Sequence, residues 1–303
     1  MSTNNLRNKL RLLRALNNIY FFRMILGIPF RLFFGNDAGL RENYQGRKSI
    51  QVNSKISDSS FEFDNRALEL KKMGFIKLGN IISKELISTI QSAYLKKIKD
   101  VESLGKADVI YLKPALHQIP ELKHLIENEK IKNLVRSYYN GCNFEIQRVE
   151  AWRNYNWGDK GLTKDINSNL FHNDQSSIDI LKIFIYLSDG ITKNNGATRI
   201  FSIPKTKKIM RTGYLQRYAI LWPAKQIVNN TKNLNFMEGN AGFCFIFNPQ
   251  LTLHAAGLVS GDSVRDVVCI SLKASDKALA ENWDKKIIDN DLAYMAKHNI
   301  KVM

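Results

Sequence analysis

Residues 171–187 read FHNDQSSIDILKIFIYL. A histidine and an aspartate stand two positions apart, and a long β-prone apolar run follows them. In an extended segment, side chains two residues apart lie on the same face. His172 and Asp174 can therefore offer an imidazole and a carboxylate to one metal ion. The bland alternative is a polar strand edge in which His172 simply bonds Asp174. In the run itself, IDILKIFIYLSD (178–189), alternation places Lys182, Phe184 and Tyr186 on one face and Ile183, Ile185 and Leu187 on the other.

Working outward, FEIQRVEAWRNY (144–155) alternates and predicts a strand before the motif, joined to it by a polar loop over 156–169. KNNGATRIFSIP (193–204) predicts a turn and a strand, and GYLQRYAI (213–220) a further strand. The block NAGFCFIFNPQLTLHAAGLVSGDSVRDVVCISLKA (240–274) predicts two or three strands, broken at Asn248-Pro249 and Ser260-Gly261. Upstream, the pattern from Ala67 predicts helix, strand, helix. Gly74 ends the first helix, residues 75–78 form the strand, and Ser83 N-caps the second helix, with Leu86, Ile90 and Tyr94 at i, i+4, i+8. NEKIKNLVRSYYNG predicts another helix closed by Gly141, and the tail from Ser275 reads helical. Helices first and short strands later, without βαβ alternation, predict a mainly β core with flanking helices, a sandwich or jelly roll rather than a parallel sheet.

The chain has 303 residues, 44% of them hydrophobic, which suits a globular protein. Cys142, Cys244 and Cys269 are widely spaced and form no CxxC pair, so they predict buried thiols in a reducing cytoplasm. A net charge of +17 favours anionic partners such as acidic headgroups or phosphorylated and carboxylated substrates. The alternative is a solvated, lysine-rich surface. Nucleic acid is not expected, since no helix-turn-helix, zinc-finger or RNP-type motif is present.

Residues 1–60 read as an N-terminal extension and linker, and 61–303 as the main domain with its flanking helices. Within 1–35, Arg7, Lys9, Arg11, Arg14, Arg23 and Arg31 interleave with Leu6, Leu10, Leu13, Tyr20 and Met24, and no acid precedes Asp37. Arginines interrupt the apolar run well short of the ~20 residues that span a bilayer. The pattern suits an interfacial amphipathic helix at the inner face of a membrane, with a helix packed on the protein's own core as the alternative.

A metal site on HxD needs another nitrogen. The histidines are His117, His124, His172, His254 and His298, and His254 in the late β-block is the natural candidate. Two histidines and one carboxylate leave positions open, which suits non-haem Fe(II) oxygen chemistry. Arg265 follows His254 by eleven residues, one strand further on. A guanidinium there can grip the far carboxylate of a small dicarboxylate whose other end chelates the metal.

From Leu70 to Lys273 the sequence resembles the phytanoyl-CoA dioxygenase-like family of Fe(II)/2-oxoglutarate oxygenases. The likeness rests on HxD before LKIFIYLSD, the NNGAT turn, and H-x10-R followed by an aspartate. The resemblance implies a double-stranded β-helix, the cupin-like jelly roll. It also implies His172, Asp174 and His254 as iron ligands and Arg265 as the 2-oxoglutarate arginine. The cosubstrates would be 2-oxoglutarate and O2, the products succinate, CO2 and an oxidised substrate. Related halogenases lack the carboxylate, so Asp174 favours hydroxylation. Pro204-Lys205-Thr206-Lys207 stands where the family usually has Pro-Gly-Ser-His. Arg153 and Tyr155 are expected to face the pocket. The expected substrate is an anionic or lipid-linked small molecule, a sugar or glycolipid before an acyl-CoA; an inactive jelly-roll binding or membrane-associated protein is the alternative.

Overall fold

The computed structural model describes residues 62–103, 108–158, 168–174, 178–212, 214 and 234–298. The basic segment 1–35 and most of the strand expected over 213–220 lie outside the described residues.

The first helix, α1 (Arg66–Met73), stops at Gly74, whose φ of 83° is left-handed and costs a glycine little. A Cβ at Gly74 would also meet Thr252 and Ile203 side-chain atoms at 2.5 and 2.6 Å. β1 (Phe75–Gly79) follows at once. α2 (Lys84–Glu102) starts where the Ser83 hydroxyl accepts a hydrogen bond from the Leu86 N–H, and it buries Ile87, Ile90, Tyr94 and Ile98 along one stripe. Each such side chain contributes about 1.5–3 kcal/mol on leaving water. β2 (Val109–Leu112) and short helical turns between 115 and 126 lead to α3 (Glu129–Tyr138). Asn128 caps α3, and Asn140 and Gly141 close it at φ 56° and 86°.

The remaining described strands are β3 (Asn143–Asn154), β4 (Ile180–Tyr186), β5 (Thr198–Ile200), β6 (Asn235–Met237), β7 (Cys244–Phe247), β8 (His254–Ala255) and β9 (Arg265–Ser275). A six-stranded antiparallel sheet runs in the order β1-β7-β4-β9-β3-β2, and a three-stranded sheet in the order β6-β5-β8. Residues of the larger sheet alternate between two cores, apart from register shifts at Lys77/Gly79 in β1 and Ile146/Arg148 in β3. Ile183, Ile185, Val268, Ile270, Val149 and Ala151 pack under the helices. Phe184, Tyr186, Phe245, Phe247, Val267 and Trp152 instead face the small sheet, together with Ile200 and Met237. The molecule is thus a predominantly antiparallel jelly roll with flanking helices, as the pattern of short strands predicts.

Four segments differ from the sequence reading. The Pro204-Lys205-Thr206-Lys207 departure opens α4 (Ile203–Arg211), with proline in the first turn where its missing N–H costs nothing. β2 and β6 are four and three residues long, too short to carry a readable period. The C-terminal helix α5 (Trp283–Lys297) begins eight residues after β9 rather than at Ser275.

Candidate metal centre

His172 and His254 are neighbours in the backbone. The His172 N–H donates to the His254 carbonyl at 3.0 Å, and the His254 N–H donates to the His172 carbonyl at 2.9 Å. This antiparallel bridge sets the two rings 4.4 Å apart between centroids. The next turn of chain is also fixed, because the Asp174 N–H donates to the Pro249 carbonyl at 2.8 Å. The segment is therefore extended, and Asp174 returns to the face that carries His172.

Asp174 Oδ1 lies 3.5 Å from His172 Nε2 and 3.6 Å from His254 Nε2. The three ligand atoms fall within 4.8 Å of one another. Donors at right angles on a metal ~2.1 Å away stand about 3 Å apart, so small side-chain movements close this set on an ion. The rings are held in the tautomer a metal needs. His172 Nδ1 is 2.8 Å from the Leu170 carbonyl, and His254 Nδ1 is 3.2 Å from the Thr252 carbonyl. A carbonyl only accepts, so each Nδ1 must donate its proton, which leaves the Nε2 lone pair facing Asp174. Burial, helped by His172, lowers the His254 pKa to about 3, so its ring is neutral at physiological pH. Burial works to raise the Asp174 pKa, but the Lys182 ammonium outweighs it and holds the carboxyl well below its usual range.

The second part of the site begins where β9 enters the sheet. Arg265 is buried, and its Nη2 donates to the Thr198 hydroxyl at 2.7 Å. Its Nε and Nη1 meet no acceptor among the described residues. Buried donors left unmatched cost about 1–3 kcal/mol each. The guanidinium stands 5.8 Å over the Tyr186 ring, and burial lowers its pKa. Arg199 lies close by, its pKa lowered to about 10 by burial and by the charge of Arg265. Arg199 does not line the cavity; it stands over the Phe171 ring and its Nη2 donates to the Asn169 and Ala256 carbonyls, so the unmatched donors of Arg265 are what complement a small carboxylate there. Gly196 makes room for this arrangement. Its φ is 79°, and a Cβ there would stand 3.2 Å from Arg265 Cδ.

His172, Asp174, His254, Thr198 and Arg265 share one cavity with Tyr111, Glu150, Trp152, Lys182 and Phe184. Four residues expected from the sequence, His172, Asp174, His254 and Arg265, thus converge. Arg153 and Tyr155 do not line it, and that expectation is corrected. Arg153 is opposite Asp266 in the ladder, on the reverse face of the sheet from Trp152 and Arg265. Its Nε and Nη2 each donate to Asp266 at 2.8 Å, and its Nη1 donates to Glu102 at 3.0 Å. Tyr155 donates to the same Glu102 oxygen at 2.5 Å, and Tyr94 to Asp266 at 3.0 Å. Asp266 pairs with Arg153, so Arg265 is spared a surface pairing with its neighbour. His117, His124 and His298 take no part; His124 pairs with Glu127 at 2.8 Å.

Sequence reasoning missed Lys182, although the alternation of β4 puts it on the face of Phe184 and Tyr186. Its Nζ is 2.7 Å from Asp174 Oδ2. Thr198 is the threonine of NNGAT, and Tyr111 lies on the unforeseen β2.

An antiparallel jelly roll that brings two histidines, one carboxylate and an under-satisfied arginine into one cavity defines a candidate mononuclear metal centre beside an anion site. Comparison with solved structures agrees in fold. The chain is similar to EctD from S. alaskensis with 2-oxoglutarate and 5-hydroxyectoine, at TM-score 0.51 and 14% identity over 74% of this chain and 80% of that one. It is also similar to HygX from Streptomyces hygroscopicus with nickel and 2-oxoglutarate bound, at TM-score 0.50 and 11% identity over 72% and 89%. No protein-family model matches the sequence, and no curated protein matches it. No helix among the described residues is long and apolar enough to cross a membrane.

Proposed function

We propose that this protein is an Fe(II)- and 2-oxoglutarate-dependent oxygenase of the phytanoyl-CoA dioxygenase-like group, and that it hydroxylates a small molecule. The observation that carries the reading is the convergence of His172, Asp174 and His254 with Arg265 in one cavity. The crystals of EctD and HygX with 2-oxoglutarate, and of HygX with nickel, support it.

His172 and His254 would hold iron through Nε2, and Asp174 through Oδ1. Arg265, braced by Thr198, would receive the distal carboxylate of 2-oxoglutarate on its unmatched Nε–H and Nη1–H. Iron and 2-oxoglutarate together supply oxidative decarboxylation with O2, coupled to attack on a substrate C–H. The protein's part is to orient the reacting groups and keep bulk water out, and Trp152 and Phe184 form an apolar wall for that purpose. Retention of Asp174 favours hydroxylation over halogenation.

The substrate we favour is an anionic or lipid-linked sugar, with an acyl-CoA as the runner-up. The overall charge of +17 and the basic segment 1–35 support it, the latter as a contact with the inner face of a membrane. Succinate production against a panel of sugars, glycolipids and acyl-CoAs tests the proposal, with Asp174→Ala as the control. Wild-type protein that neither binds 2-oxoglutarate with Fe(II) nor forms succinate with any of them would leave the inactive binding module as the better reading.

A further inference from the structure

The cavity contains a cation that the ligand set does not require. Lys182 is on β4, a central strand, and its place is set by the ladder, where it lies opposite Phe247 on one side and Ser271 on the other. The Phe247 ring in turn packs 4.9 Å from the His254 ring. A residue at this point of the sheet is therefore held beside the metal ligands by backbone pairing, whatever its rotamer. Lysine there reaches Asp174, and the contact divides the carboxylate. Oδ1 faces both imidazole Nε2 atoms at 3.5 and 3.6 Å, while Oδ2 is 2.7 Å from Lys182 Nζ.

A carboxylate can bind a metal through one oxygen or two. The second mode consumes a coordination position that 2-oxoglutarate chemistry needs open. A cation fixed on the outer oxygen lowers that oxygen's availability and holds the plane of the group, as partners behind metal-binding carboxylates do. Lysine is a compact charge with rotatable donors, suited to a single-oxygen contact. It also brings positive charge near a cation, which weakens metal affinity, so its benefit must lie in geometry.

We propose that Lys182 is a positioning residue that restricts Asp174 to one-oxygen ligation and so keeps an exchangeable position open on the metal. The proposal rests on the metal-site reading above. In wild-type protein loaded with Ni(II) and 2-oxoglutarate, a crystal structure is expected to show one Asp174 oxygen on the metal and the other on Lys182. Two Asp174 oxygens on the metal, or Lys182 turned away from it, would overturn the proposal and leave the site reading intact. Absence of metal from the wild-type site removes both.

The variants K182M and K182Q extend the test, with K182R as the conservative rescue. Under anaerobic conditions with Fe(II) and 2-oxoglutarate, nitric oxide reports the open position through its S = 3/2 resonance. In K182M and K182Q, iron affinity should hold or rise, while nitric oxide affinity falls about tenfold or more, a change of about 1.4 kcal/mol. K182R should recover most of it. A merely structural lysine would lower iron and nitric oxide binding together, and unchanged nitric oxide binding would equally sink the idea.

Discussion

His172 and His254 exchange both of their backbone hydrogen bonds, at 3.0 and 2.9 Å, although 82 residues separate them in the chain. The two imidazoles are thus paired by the same interaction that builds the sheets. Rotation of the rings is limited further by the Leu170 and Thr252 carbonyls.

The ligand atoms act as a set, so loss of one should abolish tight binding. His254→Ala, His172→Ala and Asp174→Ala are each expected to lose the visible charge-transfer band of the anaerobic Fe(II)–2-oxoglutarate complex. They should also lose any thermal stabilisation by Ni(II) plus 2-oxoglutarate, which mass action gives only to a protein that binds them. A variant that keeps both signals would remove its residue from the ligand set.

Arg265 should determine 2-oxoglutarate affinity rather than metal affinity. Charge-assisted hydrogen bonds contribute about 1.5–3 kcal/mol, so Arg265→Gln is expected to weaken 2-oxoglutarate by about 10- to 150-fold in calorimetry. Ni(II) binding without cosubstrate should be nearly unchanged.

Gly196→Ala should reproduce part of that loss without touching a polar group. The φ of 79° strains any L side chain, and the new methyl meets Arg265 Cδ at 3.2 Å. A left-handed conformation costs a non-glycine residue about 1–2 kcal/mol. Chemical denaturation should show a loss of that order, together with several-fold weaker 2-oxoglutarate binding.

Asp266→Asn separates support from chemistry. Asp266 takes two hydrogen bonds from Arg153 and one from Tyr94 on the face away from the cavity. Removing one partner of a buried ion pair costs about 3–5 kcal/mol. A stability loss of that order is expected, with 2-oxoglutarate affinity of the folded protein within a few-fold of wild type. Arg153→Ala should behave in the same way.

Deletion of residues 1–60 should leave binding of Ni(II) and 2-oxoglutarate intact, because the cavity is lined by residues from Tyr111 to Arg265. If the segment contacts membranes, co-sedimentation with vesicles rich in anionic lipid should be lost in the same deletion. Equal sedimentation of both proteins would place any membrane contact elsewhere.

The sequence by itself determined the longer strands, β3, β4 and β9, though not the short β2 and β6. β3 was legible from polar and apolar alternation, and β4 and β9 from β-prone apolar runs, which is how strands covered on both faces read. The HxD pair, the later histidine and the arginine were legible for a related reason: few residue types can do metal and carboxylate chemistry, so their spacing stands out. Tertiary structure alone decided which side chains meet. Arg153 and Tyr155 read as pocket residues, but one step of register turns Arg153 to the reverse face, where Asp266 and Glu102 capture it. Lys182 read as an ordinary member of an alternating strand until the bridge between His172 and His254 brought Asp174 within 2.7 Å of it. Local pattern fixes the face of a strand, whereas the partner across that face comes from chain pairings tens of residues away, and no local period encodes those.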